Sequence, residues 1–197
     1  MKELVIASAN EKKKKELRRL LNLKGVKIFT LKDFKDPPKV REDKNTFVGN
    51  AIKKAVVVSR FAKRLTVADD SGLEVDILGG LPGVRSARFA GTGQDDAKNN
   101  QKLIMLLKDV PFKKRGAQFR CAIAVADSGR LLGTFEARCR GLIGFKRQGN
   151  TGFGYDPLFV IPKYNRTFAQ LGPKIKDQMS HRAKAIRKSQ RLIKKLL

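Results

Sequence analysis

Tryptophan is absent from the chain, histidine occurs once and cysteine only twice. Cys121 and Cys139 stand in neither a metal-binding nor a Cys-x-x-Cys spacing, which argues against a zinc finger, a dithiol redox motif or a disulfide-dense secreted scaffold. No apolar run approaches the ~20 residues of a membrane helix, and the N-terminus lacks the apolar segment of a signal peptide. The expectation is a cytoplasmic protein with reduced core thiols and no membrane association. Acidic residues are scarce as well. The 18 Asp and Glu are set against 44 Lys and Arg, a net charge of +26. That excess makes polyanions the natural partners and predicts non-specific, salt-sensitive adhesion to nucleic acid. No zinc-finger spacing or aromatic RNA-binding strand accompanies it. At 197 residues the chain can bury a sizeable core as one domain, 1–197, with two lobes.

What is there alternates between strand and helix patterns. Residues 2–7 read as a buried strand ended by Ser8-Ala9-Asn10, and 11–23 as a helix with Leu17, Leu20 and Leu21 on one face. Asn10 falls at the N-cap. Strand, small polar turn and helix make a recurring anion site, because N–H groups and the positive end of the helix dipole point into the turn. Lys13 would add a charge there, whereas Lys12, Lys14 and Lys15 read as a solvated face. Residues 27–30 predict a second strand, and 32–45 a polar connection. Residues 46–65 predict a helix buried through Phe47, Ala51, Ala55, Val58 and Ala62. Residues 66–68 return to the sheet, and 95–107 predict another helix. A hairpin about Asp127-Ser128-Gly129 would put Leu131, Phe135, Ala137 and Cys139 on one face of its return strand. Beyond a strand at 158–161, Pro173 opens the next segment, and Ser180 caps a final helix to Leu197. Such alternation argues an α/β fold.

The most unusual stretch is 68–91, ADDSGLEVDILGGLPGVRSARFAG. A strand ending in Asp69-Asp70-Ser71-Gly72 would deliver two carboxylates to a sheet edge, where a turn aims them into a cleft. Burying both without a cation is costly, so a hard metal ion or a charged partner is implied. The glycines that follow, with Arg88, suit phosphate. A second Gly-rich loop, Gly149 to Pro157, holds Phe153 and Tyr155. Glycines let the backbone approach a ligand, and an aromatic held there can stack on a base. His181 taken alone reads as structural.

These motifs together resemble the Ham1-type family of inosine triphosphate pyrophosphatases. The likeness rests on the Asn10-x-x-Lys13 turn, ADDSGLEVD with GGLPGVRSARFAG, GFGYDP at 152–157, and Lys176 followed by Ser180-His181-Arg182. It spans nearly the whole chain in one order. It implies an elongated mixed β-sheet with flanking helices, two lobes around a central substrate groove, and a homodimer. The implied reaction converts a deaminated purine triphosphate (ITP, dITP or XTP) and water to the monophosphate and pyrophosphate, with Mg2+ as cofactor. By that resemblance Asp70 is general base and metal ligand, Glu42 a second metal carboxylate, and Asp69 a support. Ser8, Asn10, Lys13 and Ser71 would hold phosphate, and Lys176 and Arg182 phosphate or the base edge. Phe153 would stack on the purine, with Gly154, Tyr155 and Asp156 shaping the pocket. Donors from His181 and Arg182 would satisfy O6 of a 6-keto purine and be left facing a donor in ATP.

Two positions depart from the family pattern. Gly49 stands where Thr-Phe-x-Glu-Asn-Ala has glutamate, and Gln170 where Thr-x-Ala-Glu-Leu has glutamate. Both predict weakened activity. The rival reading is a catalytically impaired member that acts as a basic nucleotide- or nucleic-acid-binding protein.

Overall fold

The computed structural model describes residues 1–197. Seven strands form one mixed sheet in the order β2-β1-β3-β4-β5-β6-β7, and five α-helices accompany them. β1 (Lys2–Ile6) pairs in parallel with β2 (Val26–Thr30) and with β3 (Thr66–Val75). β4 (Gly116–Asp127) and β5 (Arg130–Ile143) follow in the order, and β5, β6 (Phe159–Ile161) and β7 (Arg166–Thr167) pair antiparallel. The α/β class with a mixed sheet and flanking helices is therefore as expected. No helix is long and apolar enough to cross a membrane.

The chain divides into two compact units. The first comprises residues 1–70, 121–137 and 182–197; the second comprises 71–120 and 138–181. In the first, Leu4 and Ile6 of β1 pack with Leu17 and Leu21 of α1 (Glu11–Leu21) and Ile123 and Val125 of β4. Ile186 and Ile193 of α5 (His181–Leu196) complete that core. In the second, Leu73 and Val75 of β3 meet Leu103 of α3 (Asp96–Leu106) and an aromatic set around Phe159. Phe119 and Phe168 lie 4.5 and 5.4 Å from the Phe159 ring.

The termini of these elements have local causes. Asn10 caps α1 by accepting from the Lys13 N–H, and Asn22 ends the helix in the left-handed region that asparagine tolerates. α2 (Phe47–Ala62) stops three residues short of the expected end. Lys63 turns left-handed (φ 51°), Arg64 pairs with Glu3 at 2.5 Å, and the Leu65 carbonyl already accepts from Val5 of β1 at 2.8 Å.

β3 corrects the expectation most. It does not end at Asp70 but runs on through Ser71 and Gly72 to Val75. Leu73 and Val75 are fully buried, and Glu74 between them meets Gln118 and Arg120 of β4 at 2.8 and 3.3 Å. This resumed in-out alternation favours strand over turn.

On the return strand Leu132, not Leu131, packs with Phe135 and Ala137, and Leu131 is 38% exposed. The segment expected to open at Pro173 begins earlier, as α4 (Phe168–Met179). Thr167 caps it, accepting from the Gln170 N–H while the Gln170 side chain accepts from the Thr167 N–H. Gln170 thus does the capping work a glutamate would do. Gly172, at φ 74°, breaks the helix before Pro173.

Both cysteines are buried free thiols, Cys121 in the core of the first unit and Cys139 in that of the second. Burial pushes the Cys121 thiol up to about 12, which suppresses the reactive thiolate. Neither should react with an aromatic disulfide reagent in the folded protein, and both should react in denaturant. Rapid native labelling of either would contradict this packing.

Candidate active site

The first unit carries the acidic and phosphate-suited residues. β1 feeds into Ser8, whose buried hydroxyl accepts from the Asn10 N–H at 3.3 Å. Asn10 in turn accepts from Lys13 N–H at 3.0 Å. The capped end of α1 presents a positive dipole to the turn, where an anion is stabilised. The Lys13 ammonium sits 3.6 Å from Asp69, so its charge is tethered near the carboxylates.

Successive side chains of a strand point to opposite faces, and Asp69 and Asp70 accordingly find different partners. Asp69 is completely buried and accepts from Arg182 Nε at 3.2 Å. Arg182, buried on α5, donates its other arm to Glu16 of α1. Burial pushes Asp69 up, but Lys13, Arg182 and Lys54 outweigh it and hold the group well below the usual carboxylate range.

Asp70 accepts from Asn50 Nδ2 at 3.0 Å and lies 3.7 Å from the Lys54 ammonium. Lys54 also donates to Glu42 at 2.5 Å. Burial dominates at Asp70 and is only partly offset by Lys54 and Lys13, so its carboxyl sits above the ordinary value. Glu42 goes the other way, because Lys54 outweighs its burial. Two neighbouring carboxylates with pKa values pushed apart are the arrangement from which acid–base roles are built.

Asn50 and Lys54 were not singled out from the sequence. They lie one turn apart on the buried face of α2, and the run Thr46-Phe47-Val48-Gly49-Asn50-Ala51 contains the first of them. Asn50 also accepts from Lys44 N–H at 2.9 Å and donates to the Lys44 carbonyl at 3.3 Å. It therefore ties the preceding loop to Asp70. Gly49 is not in the helix interior. It occupies the third position, where its N–H donates to the Thr46 cap at 3.0 Å. A glutamate there would complete a capping box with Thr46. A Cβ on Gly49 would stand 2.9 Å from Lys44 Cβ and 3.0 Å from the Thr46 hydroxyl, so any side chain must displace that loop.

The second unit carries the aromatic loop. Asp156 is its hub: one carboxylate oxygen accepts from the Phe153 N–H at 2.9 Å and from Lys176 Nζ at 2.7 Å. A side chain at Gly152 would run into that carboxylate. The Lys176 ammonium also lies 4.7 Å from the centre of the Phe153 ring, so it covers that ring. Tyr155 is buried and donates to the Ser86 carbonyl at 2.8 Å. His181 is buried and stacked on Phe119, with centroids 4.7 Å apart and planes 13° from parallel. Ser71 is half-buried in β3.

Ser8, Asn10, Lys13, Glu42 and Asp70 thus gather in the first unit, and Phe153, Gly154, Tyr155, Asp156 and Lys176 in one loop system of the second. Two of the residues expected to meet the substrate have partners within the fold. Lys176 is bonded to Asp156, and Arg182 is committed to Asp69 and Glu16. Both are buried, and a buried cation is stable only when paired. No three His, Cys, Asp or Glu side chains converge as a metal cage.

A mixed α/β sheet with a capped helix end beside split carboxylates suits an enzyme that works on phosphate groups. The chain belongs to the Ham1 family, whose model matches residues 4–192. It is 50% identical over 188 residues to a dITP/XTP pyrophosphatase of Geobacillus kaustophilus, covering 95% of this chain and 92% of that one. It is 47% identical over 194 residues to a dITP/XTP pyrophosphatase of Desulforamulus reducens, covering 98% and 96%. Solved structures of a HAM1 protein from Coxiella burnetii and of the Staphylococcus aureus Ham1 protein superpose with TM-scores of 0.88 and 0.87, each at 35% identity. Coverage of this chain is 99% and 100%, and both of those chains are covered completely.

Two outcomes follow from the first unit's geometry. Arg182→Ala removes the guanidinium that buried Asp69 and Glu16 share, leaving Asp69 with Lys13, and should cost about 3–5 kcal/mol in denaturant unfolding. Because Asp69 is depressed in the fold, its contribution is complete above the ordinary aspartate value of 3.8 and lost only as pH falls below it. Gly49→Ala should lower the melting temperature, although propensity alone favours alanine by about 1 kcal/mol. A rise in melting temperature would show that Lys44 yields without cost.

Proposed function

We propose that this protein hydrolyses nucleoside triphosphates bearing a 6-keto purine, such as dITP, ITP and XTP, to the monophosphate and pyrophosphate. The observation that carries the mechanism is the split between Asp69, held ionised by Arg182 and Lys13, and Asp70, raised by burial. The substrate class is supported by the dITP/XTP pyrophosphatases to which the chain is similar along nearly its full length.

In this reading Asp70 takes a proton from a water whose oxygen attacks the α-phosphorus. The bond between that phosphorus and the oxygen bridging to the β-phosphate breaks, and pyrophosphate leaves. A raised pKa makes Asp70 a better base than an ordinary aspartate. The capped end of α1, Lys13 and Lys54 neutralise phosphate charge. Asp69 holds Lys13 in place and Asn50 orients Asp70.

The donor set fits Mg2+. Asp70 and Glu42 already meet about a cation, the Lys54 ammonium, and one or two carboxylates completed by water and substrate phosphate suit this metal. When bound, Mg2+ would supply charge neutralisation on the phosphates and polarisation of the α-phosphorus.

For the base, Phe153 provides the stacking face, with its ring backed by Lys176. Donors in the second unit, His181 among them, would satisfy O6 and leave a mismatch with the adenine amino group, at roughly 1–3 kcal/mol for each unpaired buried group. A cytoplasmic homodimer, with Met105, Leu106 and Phe145 as exposed apolar side chains, completes the proposal. The net charge of +26 adds weak polyanion adhesion that falls steeply with salt.

With Mg2+, ITP, dITP and XTP should release pyrophosphate much faster than ATP. Orthophosphate and a nucleoside diphosphate as first products would rule the mechanism out. Asp70→Asn should lower kcat by about 10²–10⁴-fold without lowering the melting temperature. The sign follows from the raised pKa: the fold favours neutral Asp70, so its stabilisation is present at low pH and lost as pH rises through that pKa. A neutral amide removes that cost. kcat/KM should fall on acidification as the Asp70 carboxylate is protonated and can no longer accept the proton of the attacking water.

A further inference from the structure

The first turns of α3 hold the aromatic loop by its backbone. Asp96 accepts from the Gly154 N–H at 2.9 Å, and Asn100, one turn on, donates to the Gly154 carbonyl at 2.9 Å. Both polar groups of a single residue are thereby gripped from one helix. Gly154 adopts φ +61°, a left-handed conformation that glycine takes without strain. The preceding N–H, that of Phe153, is held by Asp156. The backbone on either side of the Phe153 side chain is therefore held, and with it the Cα–Cβ bond from which the ring projects.

α3 is rigid enough to serve as the reference. Asp95 caps it through two N–H groups, of Ala97 and Lys98, and Leu103 is fully buried in the core. Asn100 is 1% exposed and donates also to the Asp96 carbonyl, at 2.5 Å. Its amide orientation is set by these two carbonyls, because the flipped form would direct Oδ1 at both. The next-door Asn99 grips a different loop. It accepts from Ala90 N–H at 2.7 Å and donates to the Ala87 carbonyl at 3.1 Å.

We propose that Asn100, with Asp96, is a positioning residue for base recognition: it holds Gly154, and through it the Phe153 ring, without touching the nucleotide. The inference rests on the reading of Phe153 as the stacking face. Loss of the clamp leaves the ring free to sample directions in which it does not stack. Binding of the base suffers, whereas the phosphate chemistry, carried by residues of the first unit, does not.

The absence of tryptophan makes the test direct. In the full-length chain, Phe153→Trp places a sole tryptophan at the ring position, and its fluorescence anisotropy reports ring mobility. Adding Asn100→Ala should lower that anisotropy. With Phe153 intact, Asn100→Ala should raise KM for dITP roughly three- to tenfold, the equivalent of one lost hydrogen bond, with kcat within about twofold. Asn99→Ala, which loses as many bonds from the same helix, should move neither quantity. Unchanged anisotropy in the Asn100 variant overturns the inference, as does an Asn99 variant that raises KM equally, which would mark a merely structural effect. Lower anisotropy with unchanged KM would instead overturn the role of Phe153 as base platform while leaving the clamp itself standing.

Discussion

Two adjacent carboxylates on one buried strand are the constraint to which the first unit is built. Burying either without compensation would cost several kcal/mol or drive it to the neutral form. The pleat sends Asp69 and Asp70 to different partners, and the fold treats them oppositely. Asp69 receives two full cations, Arg182 from α5 and Lys13 from α1. Asp70 receives an amide and a more distant ammonium that it shares with Glu42. Arg182 reaches Glu16 as well, so one ion network links α1, β3 and α5 across the unit. Buried networks of this kind contribute little net stability compared with apolar packing. Here the network sets where Lys13 lies and keeps Asp69 charged, while burial raises Asp70.

The second unit solves a different problem, the ordering of a loop. A glycine-rich loop has little side-chain packing of its own, and its conformational entropy is large. It is ordered instead by hydrogen bonds to its backbone and by buried polar side chains. Asp156 and Lys176 pair inside the loop system, Tyr155 anchors to the Ser86 carbonyl, and α3 grips Gly154. Ser86 in turn donates to the Gly83 carbonyl and accepts from Leu73 N–H of β3. Each tie ends on a strand or helix, which is how a flexible sequence is held in one backbone path.

The alternation of strand and helix, the N-cap at Asn10 and the hairpin at Ser128-Gly129 were legible because each is a short-range effect. Apolar periodicity, a capping side chain and left-handed turn residues act within a few positions. The continuation of β3 through Asp69-Asp70-Ser71-Gly72 was not legible. Acidic and glycine residues locally favour a turn, and the pairing and buried charges that override this preference come from distant segments. The capping positions of Gln170 and Gly49 were not legible for a related reason. Seen as losses of carboxylate, they are first of all third-position residues of helices capped by Thr167 and Thr46.

From the sequence alone came the α/β class, the residues able to do chemistry and the resemblance to a family that hydrolyses purine triphosphates, because periodicity and motif order are written along the chain. Tertiary structure alone decided what each charged residue does. Arg182, Lys176, Lys13 and Lys54 carry the same formal charge in the sequence, yet each meets a different carboxylate: Arg182 Asp69 and Glu16, Lys176 Asp156, Lys13 Asp69, and Lys54 Glu42 and Asp70. A charge has a role only relative to its burial and its nearest opposite charge. Asp69 lies far from Arg182 in sequence but 3.2 Å from it in space.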